Sequence, residues 1–218
     1  MRLLLITDIH GRLRNVRKLV EKLQNEHIDV ILVAGDITHF GTREQAIEIL
    51  TTLTELAPVL YVPGNCDTVT ILDLTGDRYR SVHGKLVDIG NYCVVGFGGS
   101  CPTPFLTPLE YPDDVIESEL RKLLNTARKP VILLTHAPPY GTNLDYTVSG
   151  VHAGSRGIRK VIEEFRPVLH VCGHIHEGRG TVRIGEVLSV NPGPLQRGYY
   201  AVAELRGLDV TYLELRQL

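Results

Sequence analysis

Residues 2–10 of the chain read RLLLITDIH. Leu3 to Ile6 are four consecutive apolar residues bounded by polar ones, which is typical of a β-strand buried on both faces. The run is too short for the core of a signal peptide or for a membrane span. It leads into Asp8 and His10, so the sequence predicts a buried strand whose C-terminal end carries two side chains that can bind a metal ion.

The same arrangement of a β-rich run followed by Asp, Asn or His recurs along the chain. Val30 to Val33 leads into Gly35-Asp36, Val59 to Val62 into Gly64-Asn65-Cys66-Asp67, Val131 to Leu134 into His136, and Val168 to Cys172 into Gly173-His174-Ile175-His176. Ligands of open α/β sheets bind outside the carboxyl ends of the strands. We therefore expect these five loops to converge on one edge of the fold.

The converging loops supply more ligands than one ion can use. The candidate metal ligands are Asp8, His10, Asp36, Asn65, His136, His174 and His176. Two divalent ions that share a carboxylate fit this set, and Asp36 is the expected bridge because it stands alone in its loop. In extended backbone, residues two apart point the same way, so Asp8 and His10 are expected to address one place, as are His174 and His176.

Glycines precede three of these ligands. Gly35, Gly64 and Gly173 lack a Cβ atom, which lets backbone approach the site closely.

Each loop taken alone also has a plain structural interpretation: Asp8 or Asn65 as a turn residue, for example. The two alternating histidines at 174 and 176 are harder to explain as turn residues. It is harder still to explain how five strand ends would all carry such residues by accident.

The remaining pattern predicts one mixed α/β domain over residues 1–218. Strands and helices alternate through Val62, which indicates a parallel sheet with right-handed crossovers. A hairpin is expected at Gly90-Asn91, helix N-caps at Thr42 and Ser155, and a strand-only meander with turns at Gly185-Glu186 and Arg206-Gly207 after the last histidines. We find no linker or internal repeat.

Composition narrows the function classes. Lys and Arg total 23 and Asp and Glu total 25, which gives a net charge of −2. The chain therefore lacks the strongly positive electrostatic field that attracts nucleic-acid polymers or anionic membranes. The four cysteines contain no Cys-x-x-Cys pair, which fits neither a disulfide framework nor a thiolate zinc site. We expect a cytoplasmic protein with reduced thiols. Whether the terminal strands pair with a second copy in a homo-oligomer is left open.

The order Asp-x-His, Gly-Asp, Gly-Asn-x-Asp, His, Gly-His-x-His resembles the calcineurin-like metallophosphoesterase family, from Asp8 to His176. Asn191-Pro192-Gly193 resembles a further motif of its small prokaryotic members. The resemblance implies a four-layer αββα sandwich with mixed parallel and antiparallel sheets. It also implies one metal held by Asp8, His10, Asp36 and His176, and another held by Asp36, Asn65, His136 and His174.

One position departs from the commoner family pattern. Cys66 stands where many relatives have a histidine thought to contact the phosphate, although some phosphodiesterase-like members also carry Cys there. A thiol donates only a weak hydrogen bond, so we expect slower turnover on poor leaving groups. Asn65, Cys66 and Asp67 are the candidate catalytic residues. His39, His152 and Arg156 are candidate substrate contacts, and each histidine has a plain loop interpretation as well.

The sequence thus predicts hydrolysis of a small phosphate ester, a phosphodiester in preference to a monoester, by a metal-bound hydroxide. Mixed nitrogen and oxygen ligands suit Mn, Fe, Zn, Co or Ni, so the metal is not selected. A binding or scaffold protein that keeps the fold with weak catalysis is the alternative, as the resemblance to a retromer subunit of this fold allows. A nuclease fits less well, because the composition is neutral and no capping domain is added.

Overall fold

The computed structural model describes residues 1–218, which form twelve strands and four α-helices. The strands are β1 (Arg2–Ile6), β2 (Val30–Ala34), β3 (Val59–Val62), β4 (Tyr79–Ser81), β5 (Lys85–Ile89), β6 (Tyr92–Phe97), β7 (Val131–Thr135), β8 (Leu169–Val171), β9 (Gly180–Ile184), β10 (Val187–Asn191), β11 (Tyr199–Arg206) and β12 (Asp209–Gln217). The helices are α1 (Leu13–Leu23), α2 (Arg43–Leu53), α3 (Asp113–Leu124) and α4 (Arg156–Phe165).

The strands form two six-stranded sheets. The first has the order β12-β11-β1-β2-β3-β4 and the second the order β5-β6-β7-β8-β10-β9. In the first sheet β1, β2 and β3 run parallel, as the alternation of strands and helices predicts. The hairpin predicted at Gly90-Asn91 joins β5 and β6, which pair antiparallel. The expected mixture of parallel and antiparallel pairing is confirmed.

Alternating side chains of the strands create the layers. Leu3 and Leu5 point into an apolar layer between the two sheets, whereas Leu4 and Ile6 belong to the core shared with α1 and α2. Helices α3 and α4 cover the outer face of the second sheet and form a third core there. The predicted αββα sandwich is therefore confirmed, and it explains why β1 is apolar on both faces.

Two helix starts follow the predicted capping chemistry. The Thr42 hydroxyl accepts a hydrogen bond from the Gln45 backbone N–H, and the Gln45 side chain accepts one from the Thr42 N–H. Ser155 Oγ accepts from the Ile158 N–H at the start of α4. These side chains satisfy backbone donors that a helix leaves free in its first turn.

The predicted turns at Gly185-Glu186 and Arg206-Gly207 each join two antiparallel strands, but the prediction that these strands form one meander is wrong. Strand β10 pairs parallel with β8 in the second sheet, whereas β11 crosses to the first sheet and pairs antiparallel with β1. Residues 192–198, with a 3₁₀ turn at Leu195–Arg197, make that crossing. Residue alternation specifies which face of a strand is buried but not which strand lies beside it.

No helix of the structure combines the length and the apolar character that crossing a membrane requires.

Candidate metal centre

The loops that follow β1, β2, β3, β7 and β8 meet at one edge of the sandwich. The Asp8 N–H donates to the Gly35 carbonyl over 3.0 Å, and the Gly173 N–H donates to the His136 carbonyl over 3.0 Å. The two pairs of loops are joined by the His174 N–H, which donates to Asp8 Oδ2 over 3.1 Å. The expected convergence of five strand ends is what the structure has.

One group of donor atoms surrounds His10. Its Nε2 atom lies 3.1 Å from Nε2 of His176 and 3.8 Å from Oδ1 of Asp8. Oδ2 of Asp36 is 3.5 Å from the same nitrogen, and His176 Nε2 is 3.4 Å from Asp8 Oδ1. These four side chains are the set that the family resemblance implies for one metal. The ligand atoms of Asp8, His10 and His176 all lie within 4.8 Å of one another, and Asp36 adjoins them at His10.

The second group surrounds His136. Its Nε2 atom lies 2.9 Å from Oδ1 of Asn65 and 3.6 Å from Oδ1 of Asp36. The rings of His136 and His174 have centroids 5.1 Å apart. Asp36 is thus common to both groups, with Oδ2 toward His10 and Oδ1 toward His136. All seven predicted ligands are brought together.

The chemistry of the donor set fits cations. His136 Nδ1 lies 2.7 Å from the Ala34 carbonyl, which can only accept, so Nδ1 carries a proton and Nε2 is the ring nitrogen whose lone pair can face a metal ion. That lone pair faces two further acceptors, the oxygens of Asn65 and Asp36. A cation placed among these acceptors would satisfy all of them.

The Asp8 carboxylate gives an independent indication that this site binds a cation. Its Oδ2 atom accepts hydrogen bonds from the Thr7 hydroxyl and the His174 N–H, while its Oδ1 atom is buried and has no hydrogen-bond partner. Buried polar atoms are otherwise almost always paired. A divalent cation bound at this centre would satisfy the unpaired oxygen.

Burial shifts the pKa of several of these histidines and carboxylates. It lowers the pKa of His10 to about 4 and that of His174 to about 3, so both rings are neutral at pH 7, the state that binds a metal. Burial raises the pKa of Asp36 to about 7, and the nearby Asp8 carboxylate adds to this. Burial alone would also raise the pKa of Asp8, but the His176 ring, whose Nε2 lies 3.4 Å from Asp8 Oδ1, and the neighbouring histidines lower that pKa to about 2. A cation would favour the ionised form of Asp36.

The backbone reaches this geometry differently from the prediction. Asp8, His10, Asp36 and His174 all have left-handed backbone, with φ of 50°, 48°, 49° and 68°. Asp8 and His10 do address one place, as expected, but extended alternation is not the reason, and that part of the prediction is wrong for Asp8 with His10 and for His174 with His176. Left-handed backbone is unfavourable for residues other than glycine, and such strain concentrates at functional sites.

The prediction that glycines allow close approach is confirmed. A Cβ atom at Gly35 would lie 2.3 Å from His136 Nδ1, and one at Gly64 would lie 2.0 Å from Asp36 Oδ1. At Gly173 it would lie 1.8 Å from the Thr7 hydroxyl oxygen. The absence of a Cβ atom at each glycine thus leaves room for a side chain at the candidate metal centre: that of His136, Asp36 or Thr7.

Asp67 is buried behind the centre and does not face it. Its carboxylate accepts hydrogen bonds from the backbone of Ile37, Thr38 and Gly64, and from the Thr38 hydroxyl. It therefore fastens the loop after β2 to the loop after β3. Cys66 lies beside it; burial, and then the Asp36 charge, raise the pKa of its thiol far above the usual range, so the thiol is neutral.

The candidate substrate contacts fall in two places. His39 is exposed, with its ring 5.3 Å from that of His10, at the mouth of a cavity beside the first donor group. His152 and Arg156 make their contacts within residues 140–156. His152 Nδ1 lies 2.8 Å from Asp145 Oδ1, and the Arg156 guanidinium lies 3.8 Å above the Tyr140 ring.

Sequence reasoning missed several supporting residues. Asn65 Nδ2 donates to Thr107 Oγ1, which donates to Glu110, so the amide oxygen of Asn65 is turned toward His136. Arg12 and Gln196 line the cavity beside His10 and His176. None of these residues follows a predicted strand directly, so the pattern of strand ends could not reveal them.

The Asn191-Pro192-Gly193 motif supports the loop that carries the last two histidines. Asn191 Nδ2 donates to the carbonyls of Gly173 and Ile175, and its Oδ1 accepts from the Gly193 N–H. The Asn191 side chain thereby holds the backbone on both sides of His174.

Comparison with known proteins agrees with this geometry. A family model described as calcineurin-like phosphoesterase matches residues 1–178. An uncharacterised protein of Methanocaldococcus jannaschii is 41% identical over 201 residues, covering 89% of this chain and 88% of that protein. A probable cyclic nucleotide phosphodiesterase of Vesicomyosocius okutanii is 23% identical, covering 78% and 72%.

A crystal structure of a Thermus thermophilus protein shares the fold, with a TM-score of 0.77 and 24% identity over 99% of this chain and 98% of that one. The family match covers the loops that carry all seven candidate metal ligands. On the family model and the sequence relatives, the chain belongs to the calcineurin-like phosphoesterase family.

Proposed function

We propose that this protein is a dinuclear-metal-dependent phosphoesterase that hydrolyses small phosphate esters, phosphodiesters in preference to monoesters. One observation carries the proposal: the two oxygens of the buried Asp36 carboxylate face two different histidine groups, with Oδ2 3.5 Å from His10 Nε2 and Oδ1 3.6 Å from His136 Nε2. A carboxylate in that position suits a ligand shared by two ions. Residues 1–218 would act as one catalytic domain.

Asp8, His10, Asp36 and His176 would hold one ion, and Asp36, Asn65, His136 and His174 the other. Bound divalent cations supply Lewis acidity that activates water and neutralises phosphate oxygens. Mn, Fe, Zn, Co and Ni all suit this mixture of imidazole, carboxylate and amide ligands. The His136 Nδ1–H bond to the Ala34 carbonyl fixes the tautomer that presents Nε2 to the centre.

The chain's own residues contribute orientation and charge. Asn65 is held by Thr107, and its amide would also contact a phosphate oxygen of the substrate. Asp67 positions the loops of Asp36 and Asn65 without touching the substrate. His39, which lines the cavity, would contact a bound ester, and His152 with Arg156 would contact a larger substrate from the segment 140–156.

Two considerations favour phosphodiesters. The neutral thiol of Cys66 adds no positive charge, and a diester brings one negative charge to the centre whereas a monoester dianion brings two. The Vesicomyosocius relative is named a probable cyclic nucleotide phosphodiesterase. A catalytically weak metal-binding scaffold is the second candidate, and Cys66 is the observation that favours it.

Hydrolysis after manganese loading tests the proposal. Bis(p-nitrophenyl) phosphate and p-nitrophenyl phosphate are the two substrates, each with and without a chelator. We expect chelator-sensitive turnover, faster on the diester, and a loss of at least about 100-fold in kcat for Asp36→Asn, because the shared ligand is removed. Asp77→Asn makes the same chemical change at an exposed carboxylate and should retain full activity.

The outcomes separate the two candidates. Tight manganese binding without hydrolysis of either ester would support the scaffold and contradict the enzyme. Hydrolysis that is unaffected by Asp36→Asn would show that the reaction takes place elsewhere.

A further inference from the structure

A cavity of about 390 Å³ opens beside the first donor group. It is lined by His10, Gly11, Arg12, His39, His176 and Gln196. The lining contains a guanidinium, imidazoles and an amide, but no carboxylate and no apolar side chain. Such a surface suits an anionic group and offers nothing to an apolar one.

Arg12 is the only residue of this lining with a permanent charge, and that charge is not neutralised within the protein. Five of the 17 arginines pair with carboxylates: Arg2 with Glu26, Arg17 with Glu48, Arg121 with Glu117, Arg159 with Glu163 and Arg216 with Glu26; the other twelve form no such pair. The Arg12 guanidinium makes no such pair. All five of its N–H donors are therefore available to a ligand in the cavity.

The wall that carries Arg12 is fixed relative to the candidate metal ligands. Arg12 is the N-cap of α1, whose first turn contains no acidic residue. Asn15 Nδ2, one turn further on, donates to the carbonyls of Leu195 and Gln196 over 2.9 Å each. The Gln196 amide in turn lies 3.4 Å from Nδ1 of His176. The start of α1 and the 195–197 turn thus form one rigid wall that ends at a metal ligand.

A second positive group lies on the same wall. Arg197 is exposed and directly follows Gln196, which lines the cavity. The positive end of the α1 dipole adds to this field. Arg12, Arg197 and the start of α1 thus place positive charge on one side of the candidate metal centre.

We propose that Arg12 binds a second anionic group of the substrate, a phosphate or carboxylate that remains in this cavity while the reacting phosphoryl group lies at the metal centre. The inference rests on the proposed function and names its substrate class: phosphate esters that carry a further anion. Arg12 would contribute to affinity and to the choice of substrate rather than to the bond-breaking step.

Binding of two non-hydrolysable probes tests this. Propylphosphonate has one anionic group and propane-1,3-diphosphonate has two, and both can be titrated calorimetrically into the manganese-loaded protein. We expect the wild type to bind the diphosphonate at least about tenfold more tightly, because a guanidinium–phosphonate contact is charge-assisted and bidentate. Arg12→Met should reduce this ratio to about twofold or less, and Arg12→Lys should restore part of it.

Arg14→Met is the matched control. Arg14 is exposed two residues further along α1, does not line the cavity, and loses the same charge in the variant. It should keep the wild-type ratio. A ratio below about twofold in the wild type, or a ratio that survives Arg12→Met, would overturn the inference.

Failure of the proposed function is distinguishable from these results. It would appear as the absence of chelator-sensitive hydrolysis of the activated esters, whatever the ratio of the phosphonate affinities.

Discussion

Gly64 lies so close to Asp36 that a Cβ atom at residue 64 would be 2.0 Å from Oδ1 of Asp36. The same oxygen accepts a hydrogen bond from the Cys66 N–H over 2.8 Å. Backbone of the loop after β3 therefore encloses the carboxylate that we propose to be shared by two ions. The position of that carboxylate depends on a glycine as much as on the aspartate itself.

Gly64→Ala should displace the Asp36 carboxylate and lower manganese affinity by at least about tenfold, because a shift of a few tenths of an ångström at a shared ligand affects both ions. Isothermal titration of the metal-free protein with manganese measures the loss. The control is Gly207→Ala, at a left-handed position in the β11–β12 turn where the new Cβ meets nothing within 4 Å. It should cost about 1–2 kcal/mol of unfolding free energy and leave the metal affinity unchanged.

Thr107→Val should lower the affinity for the second ion, because Thr107 holds the Asn65 side chain. The variant keeps the shape of the side chain but removes the oxygen that accepts from Asn65 Nδ2 and donates to Glu110. Loss of an outer hydrogen bond of this kind costs about 10–100-fold in metal affinity or activity. Thr181→Val, on the exposed part of β9, makes the same change without a side-chain hydrogen bond and should behave as wild type. Equal behaviour of both variants would show that Asn65 needs no such support.

His170 forms a buried relay that lies near the centre but outside it. The Thr135 hydroxyl donates to the Ala137 carbonyl, so His170 Nε2 donates to Thr135 Oγ1 over 2.9 Å, and Nδ1 is left to accept from Ser189. His170→Ala should lower the unfolding free energy by about 2–4 kcal/mol, through the lost hydrogen bonds and the cavity. Urea unfolding at pH 7.5 measures this. His27→Ala, at an exposed histidine, should change stability by less than about 0.5 kcal/mol.

The same relay predicts a pH dependence of stability. Burial lowers the pKa of His170 in the folded protein to about 3, whereas in the unfolded chain it is near 6.5. Below pH 6.5 the unfolded state binds a proton that the folded state excludes, so stability is complete above pH 6.5 and is lost as the pH falls toward 3. The stability difference between wild type and His170→Ala should therefore shrink by about 1 kcal/mol per pH unit between pH 6 and 5. A constant difference would show that His170 accepts its proton in the folded protein.

Much of the fold follows from local pattern. The double burial of β1, the Thr42 cap and the Gly90-Asn91 hairpin are all set by neighbouring residues, and each is found in the structure. The pairing partner of β11 is not set by neighbouring residues. Its pairing with β1 joins Ala201 to Leu5, nearly the whole chain apart, and alternation of side chains does not encode such a partner.

The site divides in the same way. Asp8, Asp36 and His136 could be found because each follows a buried strand, and parallel topology gathers strand ends. The left-handed backbone of Asp8 and His10 could not be found, because it results from contacts with the loop after β2: the His10 N–H donates to the Asp36 carbonyl over 2.8 Å. Arg12 and Thr107 could not be predicted either, since their roles depend on which loops pack beside the centre.

Anomalous diffraction from a manganese-soaked crystal locates bound ions without relying on activity, and so decides whether two ions share Asp36. We expect two peaks about 3.5–4 Å apart, one on each side of the Asp36 carboxylate. The first should lie among Asp8, His10 and His176, and the second among Asn65, His136 and His174. A single peak, or two peaks of which only one touches Asp36, would contradict this expectation.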